Sequence, residues 1–207
     1  MARTRITVCG ITEEEQAFIA ADAGADAIGF VFTPMSPRAI DPAAAYDIMS
    51  VMPPLLASVG EFCDPTVDQF VDAEEACPTI YTKFAGDEDV QLVRTCGPDV
   101  IKLVRYDEAT FARDLARWDE VEEVCAVMVQ APGPGAFDWA RLTPHIENIR
   151  KPIILTGGLT PQNVGEAILA VRPWAVEACA GVEHAPGVKD VQMIEDFCLA
   201  VQGADRE

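Results

Sequence analysis

The residues able to do chemistry in this chain gather at the ends of apolar runs. Cys9 closes the run Arg5-Ile-Thr-Val-Cys9 just before Gly10. A thiol at a strand end can be lowered in pKa by a nearby cation or helix N-terminus until enough thiolate exists to act as a base. Arg38 stands in the loop Thr33-Pro-Met-Ser-Pro-Arg38, where its planar fork suits a carboxylate held at two points. Gly157-Gly158 and Ala180-Gly181 each follow an apolar run, and turns of this kind expose backbone N–H groups that cradle phosphate. Gln130 ends the run Val124-Cys-Ala-Val-Met-Val-Gln130 ahead of a loop rich in proline and glycine. That is a usual seat of catalysis in an α/β enzyme, yet a neutral amide cannot donate a proton as an acid.

The elements that must hold these residues alternate along the chain. Apolar and β-branched runs predict strands at 5–9, 27–32, 56–62, 79–84, 100–104, 124–129, 152–155 and 174–177. Between them, helical patterns predict helices at 13–23, 42–51, 66–76, 88–95, 108–117, 138–142, 161–171 and 188–201. Thr12 with Glu15, and Thr160 ahead of Pro161, have the pattern of N-caps, and Gly24 and Gly97 that of helix stops. Strand–helix alternation repeated eight times without a compositional break predicts a single (β/α)₈ TIM barrel over residues 1–207, with a doubly wound sheet as the alternative. In a barrel the active face lies at the C-terminal ends of the strands, where all the residues above fall, and the loops after the seventh and eighth strands are its habitual phosphate site. Lys102, in the middle of the fifth strand, is hard to bury without a partner and is expected to face the barrel interior near anionic groups.

Composition narrows the partners. The chain has 207 residues, half of them hydrophobic, enough for one domain with a large core. Its 34 acidic residues against 15 Lys and Arg give a net charge of −19, which excludes the basic footprint a nucleic acid needs. Carboxylate excess with scarce lysine is the composition of proteins that stay soluble in high salt, so a halophilic origin is expected. Such a surface repels anions at low salt, and any phosphate site must be built locally from glycines, helix N-termini and a few cations. No run is long enough to span a membrane and no signal-peptide pattern opens the chain, so a cytoplasmic protein is expected. The seven cysteines show neither CxxC nor metal-ligand spacing; no disulfide framework, metal or cofactor is expected, and most of these thiols read as small buried hydrophobes.

Five stretches carry a resemblance: TVCGIT at 7–12, GADAIGFVFTPMSPRAI at 24–40, FDW at 137–139, ILTGGLTPQNV at 154–164 and VRPWAVEACAGVEHAPGVKD at 171–190. With these, the chain resembles the phosphoribosylanthranilate isomerase family of tryptophan biosynthesis along its whole length, least in the middle third. The resemblance implies a TIM barrel and an Amadori rearrangement of N-(5′-phosphoribosyl)anthranilate. An acid assists opening of the furanose to a Schiff base, a cysteine takes the C2 proton, and the enolamine becomes the ketose. By position, Cys9 would be the base and Arg38 would hold the anthranilate carboxylate. Gly157, Gly158, Ala180 and Gly181 would hold the phosphate. The partner is then a small phosphorylated substrate, with a monomer or homodimer as the assembly and neither nucleic acid nor membrane involved.

The chain also departs from that family. The strand-6 aspartate that serves as general acid is Gln130, and the loop that follows is cut down to APGPGA. The lysine two residues before the cysteine is Thr7, and the strand-4 pattern Gln-Leu-His-Gly reads Lys83-Phe84-Ala85-Gly86. After strand 8, the acidic and two serine positions are Glu177, Cys179 and Ala180. Either another acid has taken over, with Glu177, Glu183 and Asp138 the nearest by sequence, or the isomerase is slow. Two further alternatives are a divergent paralogue with altered isomerase or lyase chemistry and an impaired barrel that binds a sugar phosphate.

Overall fold

Eight parallel strands close into a barrel in the computed structural model of the protein, which describes residues 3–132 and 137–207. They are β1 (Arg5–Cys9), β2 (Ala27–Val31), β3 (Ala57–Phe62), β4 (Tyr81–Phe84), β5 (Val100–Arg105), β6 (Val124–Gln130), β7 (Ile153–Thr156) and β8 (Ala175–Ala178). They lie in chain order, and β1 closes the ring by pairing with β8 through Val8 opposite Ala178. Closure excludes the doubly wound alternative, since no edge strand is left. Helices α1 (Glu14–Asp22), α2 (Pro42–Ser50), α3 (Val67–Ala76), α4 (Val90–Cys96), α5 (Phe111–Asp119), α6 (Thr143–Ile146), α7 (Val164–Val171) and α8 (Val191–Ala204) follow the strands in turn. Among the described residues no helix is long and apolar enough to cross a membrane.

Strand alternation builds two cores. Inward side chains such as Val59, Ile101, Leu103, Met128 and Ile154 fill the barrel, while the opposite faces pack Ile6, Phe30, Phe62, Val104 and Leu155 against the helices. Lys102 belongs to the second set, which corrects the expectation that it faces the interior. Flanked by the inward Ile101 and Leu103, it points outward. Its ammonium bonds Glu88 at 2.7 Å and the carbonyl of Gly86 at 2.8 Å, over the ring of Trp118. Burial pulls its pKa down, and the Glu88 contact opposes the shift.

Helix starts differ from the sequence pattern in two places. Glu13, not Thr12, precedes α1, without a side-chain cap, and the Thr12 amide donates instead to Gln16. After β7, Thr160 opens a turn whose amide is held by Asn163, and α7 begins only at Val164. Where a cap is made, it comes from a short polar side chain that satisfies a free amide of the first turn: Asp41 on α2, Thr66 with Gln69 on α3, Asp89 on α4 and Asp190 on α8. Gly24, with φ 99°, and Gly97 lie at the ends of α1 and α4 as expected. The segment predicted as a helix at 138–142 is a 3₁₀ turn, Trp139–Arg141, capped by Asp138 and followed by the four-residue α6. Ahead of α8 the chain makes a small hairpin of β9 (Glu183–Ala185) and β10 (Val188–Lys189), which replaces the first turn of the helix predicted from 188.

Candidate active site

At the C-terminal mouth of the barrel a cavity of about 350 Å³ collects Arg38, Gln130, Gly157, Gly158, Ala180 and Gly181, together with Glu61, Lys83, Glu177 and Cys179. Residues from six separate stretches of chain thus reach one space. A larger cavity, about 720 Å³, opens at the other end between Arg3, Arg5, Arg172 and Trp174 and holds none of the residues singled out above. Volume does not locate the chemistry here; the convergence of ionisable groups does. Cys9 lies immediately beneath the first cavity with no exposed surface. Gly29 on β2 makes room for it, because a Cβ there would come within 2.9 Å of the Cys9 sulfur.

Lys83 is the centre of the floor. It is 1 % exposed, and its ammonium touches Glu61, its register partner on β3, as well as Glu177 at 2.8 and 2.9 Å and Cys9 Sγ at 3.4 Å. Cys9, Glu61 and Glu177 place ligand atoms within 4.8 Å of one another, the spacing of a cation site, and the cation they surround is this ammonium. Burial works against the charge on Lys83, but Cys9, Glu177 and Glu61 outweigh it and hold the amine protonated well above its ordinary range. Glu61, which accepts from the Cys9 thiol at 3.5 Å, is only half-buried; desolvation pushes its carboxyl up, yet Lys83 outweighs it and keeps the carboxyl low. Glu177 responds the other way: complete burial pushes its carboxyl up despite Lys83 and a bond from Thr156 Oγ1.

Two thiols stand at the seam where the barrel closes: Val8 lies opposite Ala178, and Cys9 and Cys179 are the residues that follow them. Cys179 and burial push the Cys9 thiol up, with Lys83 pulling the other way. Cys9, with help from Lys189, lowers Cys179 against its own burial. The two shifts belong to the pair rather than to either sulfur alone.

Arg38 reaches the cavity from the loop after β2, and Glu183 grips it at two points, Nε at 2.8 Å and Nη2 at 2.7 Å. Lys189 bonds the same carboxylate at 2.7 Å and the Cys179 carbonyl at 3.0 Å. Burial would raise Glu183, but Arg38 and Lys189 together bring it below the usual carboxylate range, while the bond to Glu183 raises Arg38. The glycine turns need glycine. Gly157 and Gly158 have φ of 88° and 68°, and a Cβ on Gly181 would lie 1.7 Å from the Leu159 carbonyl oxygen, so the two turns pack directly on each other. Gly181 lies in a 3₁₀ turn, Ala180–Val182, and Gly158 is separated from α7 by the segment 159–163.

Gln130 ends β6 on the cavity wall, in register with Arg105 and Thr156. Residues 133–136 of the loop after it lie outside the described residues. Of the three acids nearest by sequence, Asp138 is engaged in capping its turn and Glu183 is committed to two cations, whereas Glu177 lines the cavity. The sequence reading passed over Glu61 altogether and treated Lys83 only as a departure from a pattern. A signal for both existed: each is a lone charge inside an apolar strand run, at positions that pair in neighbouring strands.

Comparison with known proteins agrees with this architecture. Residues 6–200 match the profile of the family described as N-(5'phosphoribosyl)anthranilate (PRA) isomerase. N-(5'-phosphoribosyl)anthranilate isomerase of Leptothrix cholodnii is 38% identical over 208 residues, covering 99% of this chain and 93% of its own. The crystal structure of phosphoribosyl anthranilate isomerase from Thermotoga maritima superposes with TM-score 0.88 at 33% identity, covering 97% of this chain and 99% of that one. A second isomerase structure, in complex with reduced 1-(o-carboxyphenylamino)-1-deoxyribulose 5-phosphate, gives TM-score 0.85 at 34% identity, with 97% and 99% covered. With the match spanning nearly the whole sequence and the closed barrel shared, the chain belongs to the N-(5'-phosphoribosyl)anthranilate isomerase family.

Proposed function

We propose that this protein catalyses the Amadori rearrangement of N-(5′-phosphoribosyl)anthranilate in tryptophan biosynthesis, an intramolecular oxidation and reduction that turns an aldose amine into a ketose amine. One observation carries the reading: a guanidinium, a carboxyl and two glycine turns converge on a single 350 Å³ cavity at the C-terminal mouth of the barrel, whose wall residue Lys83 contacts the Cys9 sulfur at 3.4 Å. The turns at Gly157-Gly158 and Ala180-Gly181 hold the phosphate through backbone N–H groups, which suits a chain whose net charge of −19 would otherwise repel it. Glu183 takes Nε and Nη2 of Arg38, which leaves Nη1 for the anthranilate carboxylate.

In the reaction the ring oxygen receives a proton, the C1–O bond breaks, and the nitrogen pair forms the Schiff base. Removal of the C2 proton then sends the C–H electron pair into a C1=C2 bond while the C1=N pair returns to nitrogen. Cys9, at the end of β1, belongs to the base that takes this proton. Gln130 orients the sugar by hydrogen bonding without protonating it. Among the acidic candidates, Glu177 both lines the cavity and is biased by burial toward its protonated form, so it is the proton donor in this reading.

The test is turnover of phosphoribosylanthranilate at molar salt together with a phosphate titration followed by amide NMR. The reading predicts turnover and shifts at Gly157, Gly158, Ala180 and Gly181. Shifts clustered at 133–136 would misplace the phosphate. Binding without turnover would favour a barrel that holds a sugar phosphate unchanged, an alternative that the amide at Gln130 supports. The carboxylate-rich composition,, points in the same reading to a halophilic, cytoplasmic enzyme working where salt screens its charge.

A further inference from the structure

An amide closes β6 where ring opening needs an electrophile, and the wall around it supplies one. Gln130 pairs in register with Arg105 at the end of β5 and with Thr156 at the end of β7, and all three line the cavity. Register partners on parallel strands point to the same side. Gln130 also adjoins the phosphate turn: a Cβ on Gly157 would come within 3.0 Å of Gln130 Cγ. Neighbouring strands lie about 4.8 Å apart. The ring oxygen of a phosphoribosyl group is a few bonds, roughly 4–5 Å, from its phosphorus at about 1.5 Å a bond. A phosphate seated on Gly157 and Gly158 therefore sets that oxygen near Gln130, one strand spacing from Arg105 and within reach of its long side chain.

Arg105 also differs from the other cations of the cavity in what faces it. Lys83 is enclosed between Glu61 and Glu177, and Glu183 takes two nitrogens of Arg38. Arg105 is anchored by a backbone oxygen, the Ala85 carbonyl at 2.6 Å. Its carboxylate contact among the described residues is Asp87, 3.4 Å away with a side chain 95 % exposed. Water screens a contact of that kind, so the charge of Arg105 is left to the cavity.

We propose that Arg105 is the electrophile of ring opening: its guanidinium, beside the Gln130 amide, donates hydrogen bonds to the ribose ring oxygen as the C1–O bond breaks. The inference rests on the isomerase reading above and on the phosphate seat proposed with it. As the nitrogen pair forms C1=N, the C1–O pair moves onto the ring oxygen, and Arg105 and the amide N–H stabilise the charge that builds there. A guanidinium keeps its protons. The hydrogen that ends on this oxygen therefore comes from Glu177, which is left as a carboxylate against Lys83. Glu177 stands on the other side of Gln130, one strand beyond Thr156, whose hydroxyl donates to it at 3.3 Å. Residues on either side of the amide thus divide the task that one carboxylic acid in its place would perform.

The test is turnover of phosphoribosylanthranilate at molar salt. Arg105→Gln should lose about a hundredfold in kcat, the cost of one oxyanion donor, with KM little changed. Arg105→Lys, which keeps the charge without the fork, should fall between that variant and the parent. Arg105→Ala should regain activity with guanidinium chloride below denaturing concentration and not with equal KCl. The Gln130→Asp background separates an electrophile from a scaffold. There Arg105 pulls the introduced carboxyl away from its protonated form, so adding Arg105→Gln should raise turnover, whereas in the parent it lowers it. A loosened fold lowers both. Unchanged turnover in Arg105→Gln overturns the proposal, and so does a loss confined to KM, which would give Arg105 to the anthranilate carboxylate. A parent protein without turnover removes the isomerase reading and leaves the placement to be read by binding of ribose 5-phosphate, which carries no anthranilate. In Arg105→Gln its affinity should drop about tenfold, the worth of one hydrogen bond from a charged group, while inorganic phosphate binds as before. Equal affinity of parent and variant for ribose 5-phosphate overturns the placement.

Discussion

Replacing Gln130 by aspartate should raise kcat/KM for phosphoribosylanthranilate by about ten- to a hundredfold, roughly 1.4–2.7 kcal/mol of barrier. A well-placed general acid is worth about 10²–10⁴, and three features of this site hold the gain toward the lower end. An aspartate is one methylene shorter than glutamine, so its oxygens stop about 1.5 Å further from the ring oxygen, and a displacement near 1 Å already costs on the order of a hundredfold. Arg105, the register partner of Gln130 on the same wall, would pull the new carboxyl down. That effect is partial, because Arg105 is half exposed and already engaged with the Ala85 carbonyl at 2.6 Å and Asp87 at 3.4 Å. Finally, Glu177 already supplies a proton in the reading above. The decisive comparison is therefore a cycle at molar salt: parent, Gln130→Asp, Glu177→Gln and both together. Glu177→Gln should lose about a hundredfold, and adding Gln130→Asp to it should restore part of that loss. A folded Gln130→Asp with no gain, alone or on the Glu177→Gln background, would refute the idea that a missing acid at the end of β6 limits the reaction.

Three further outcomes are expected. Gly181→Ala, whose Cβ would sit 1.7 Å from the Leu159 carbonyl oxygen, should destabilise the fold by about 3 kcal/mol and abolish phosphate binding; a denaturant midpoint equal to the parent's would contradict the packing described. The Glu183 carboxyl is lower in the folded protein than in the unfolded chain, so the folded state binds fewer protons there. Its stabilisation is complete above the unfolded value near about 4.3 and disappears as acid protonates the pair below it. Arg38→Ala should flatten that acid limb of the stability–pH curve, and an unchanged curve would remove the pair as its source. With a net charge of −19, thermal stability should climb between about 0.1 and 1 M KCl, as the screening length falls from about 10 to 3 Å; a flat or falling midpoint would count against salt adaptation.

Local sequence determined the barrel. Eight β-rich runs separated by helical patterns leave few ways to bury all the apolar faces, and closure of β1 onto β8 is the solution found. The glycine turns were legible for a similar reason, since only glycine tolerates the backbone at 157 and 158 or the approach of Gly181 to Leu159. Arg38 was legible as a fork for an anion, but not that Glu183, 145 residues later, fixes two of its nitrogens. Lys102 was misread because a lone charge in a strand does not declare its face; strand parity turned it outward, to the Glu88 carboxylate in the loop that follows the neighbouring strand β4. Tertiary structure alone decided the chemistry under the cavity. Cys9, Glu61, Lys83 and Glu177 come from four strands, and Glu177 reaches Lys83 across the barrel only because the ring closes. The ionisation of each group depends on distances of about 3 Å between parts of the chain far apart in sequence, and burial in a low-dielectric floor magnifies those contacts. Residue order carries the identity of the charges; the closed barrel sets which of them face one another.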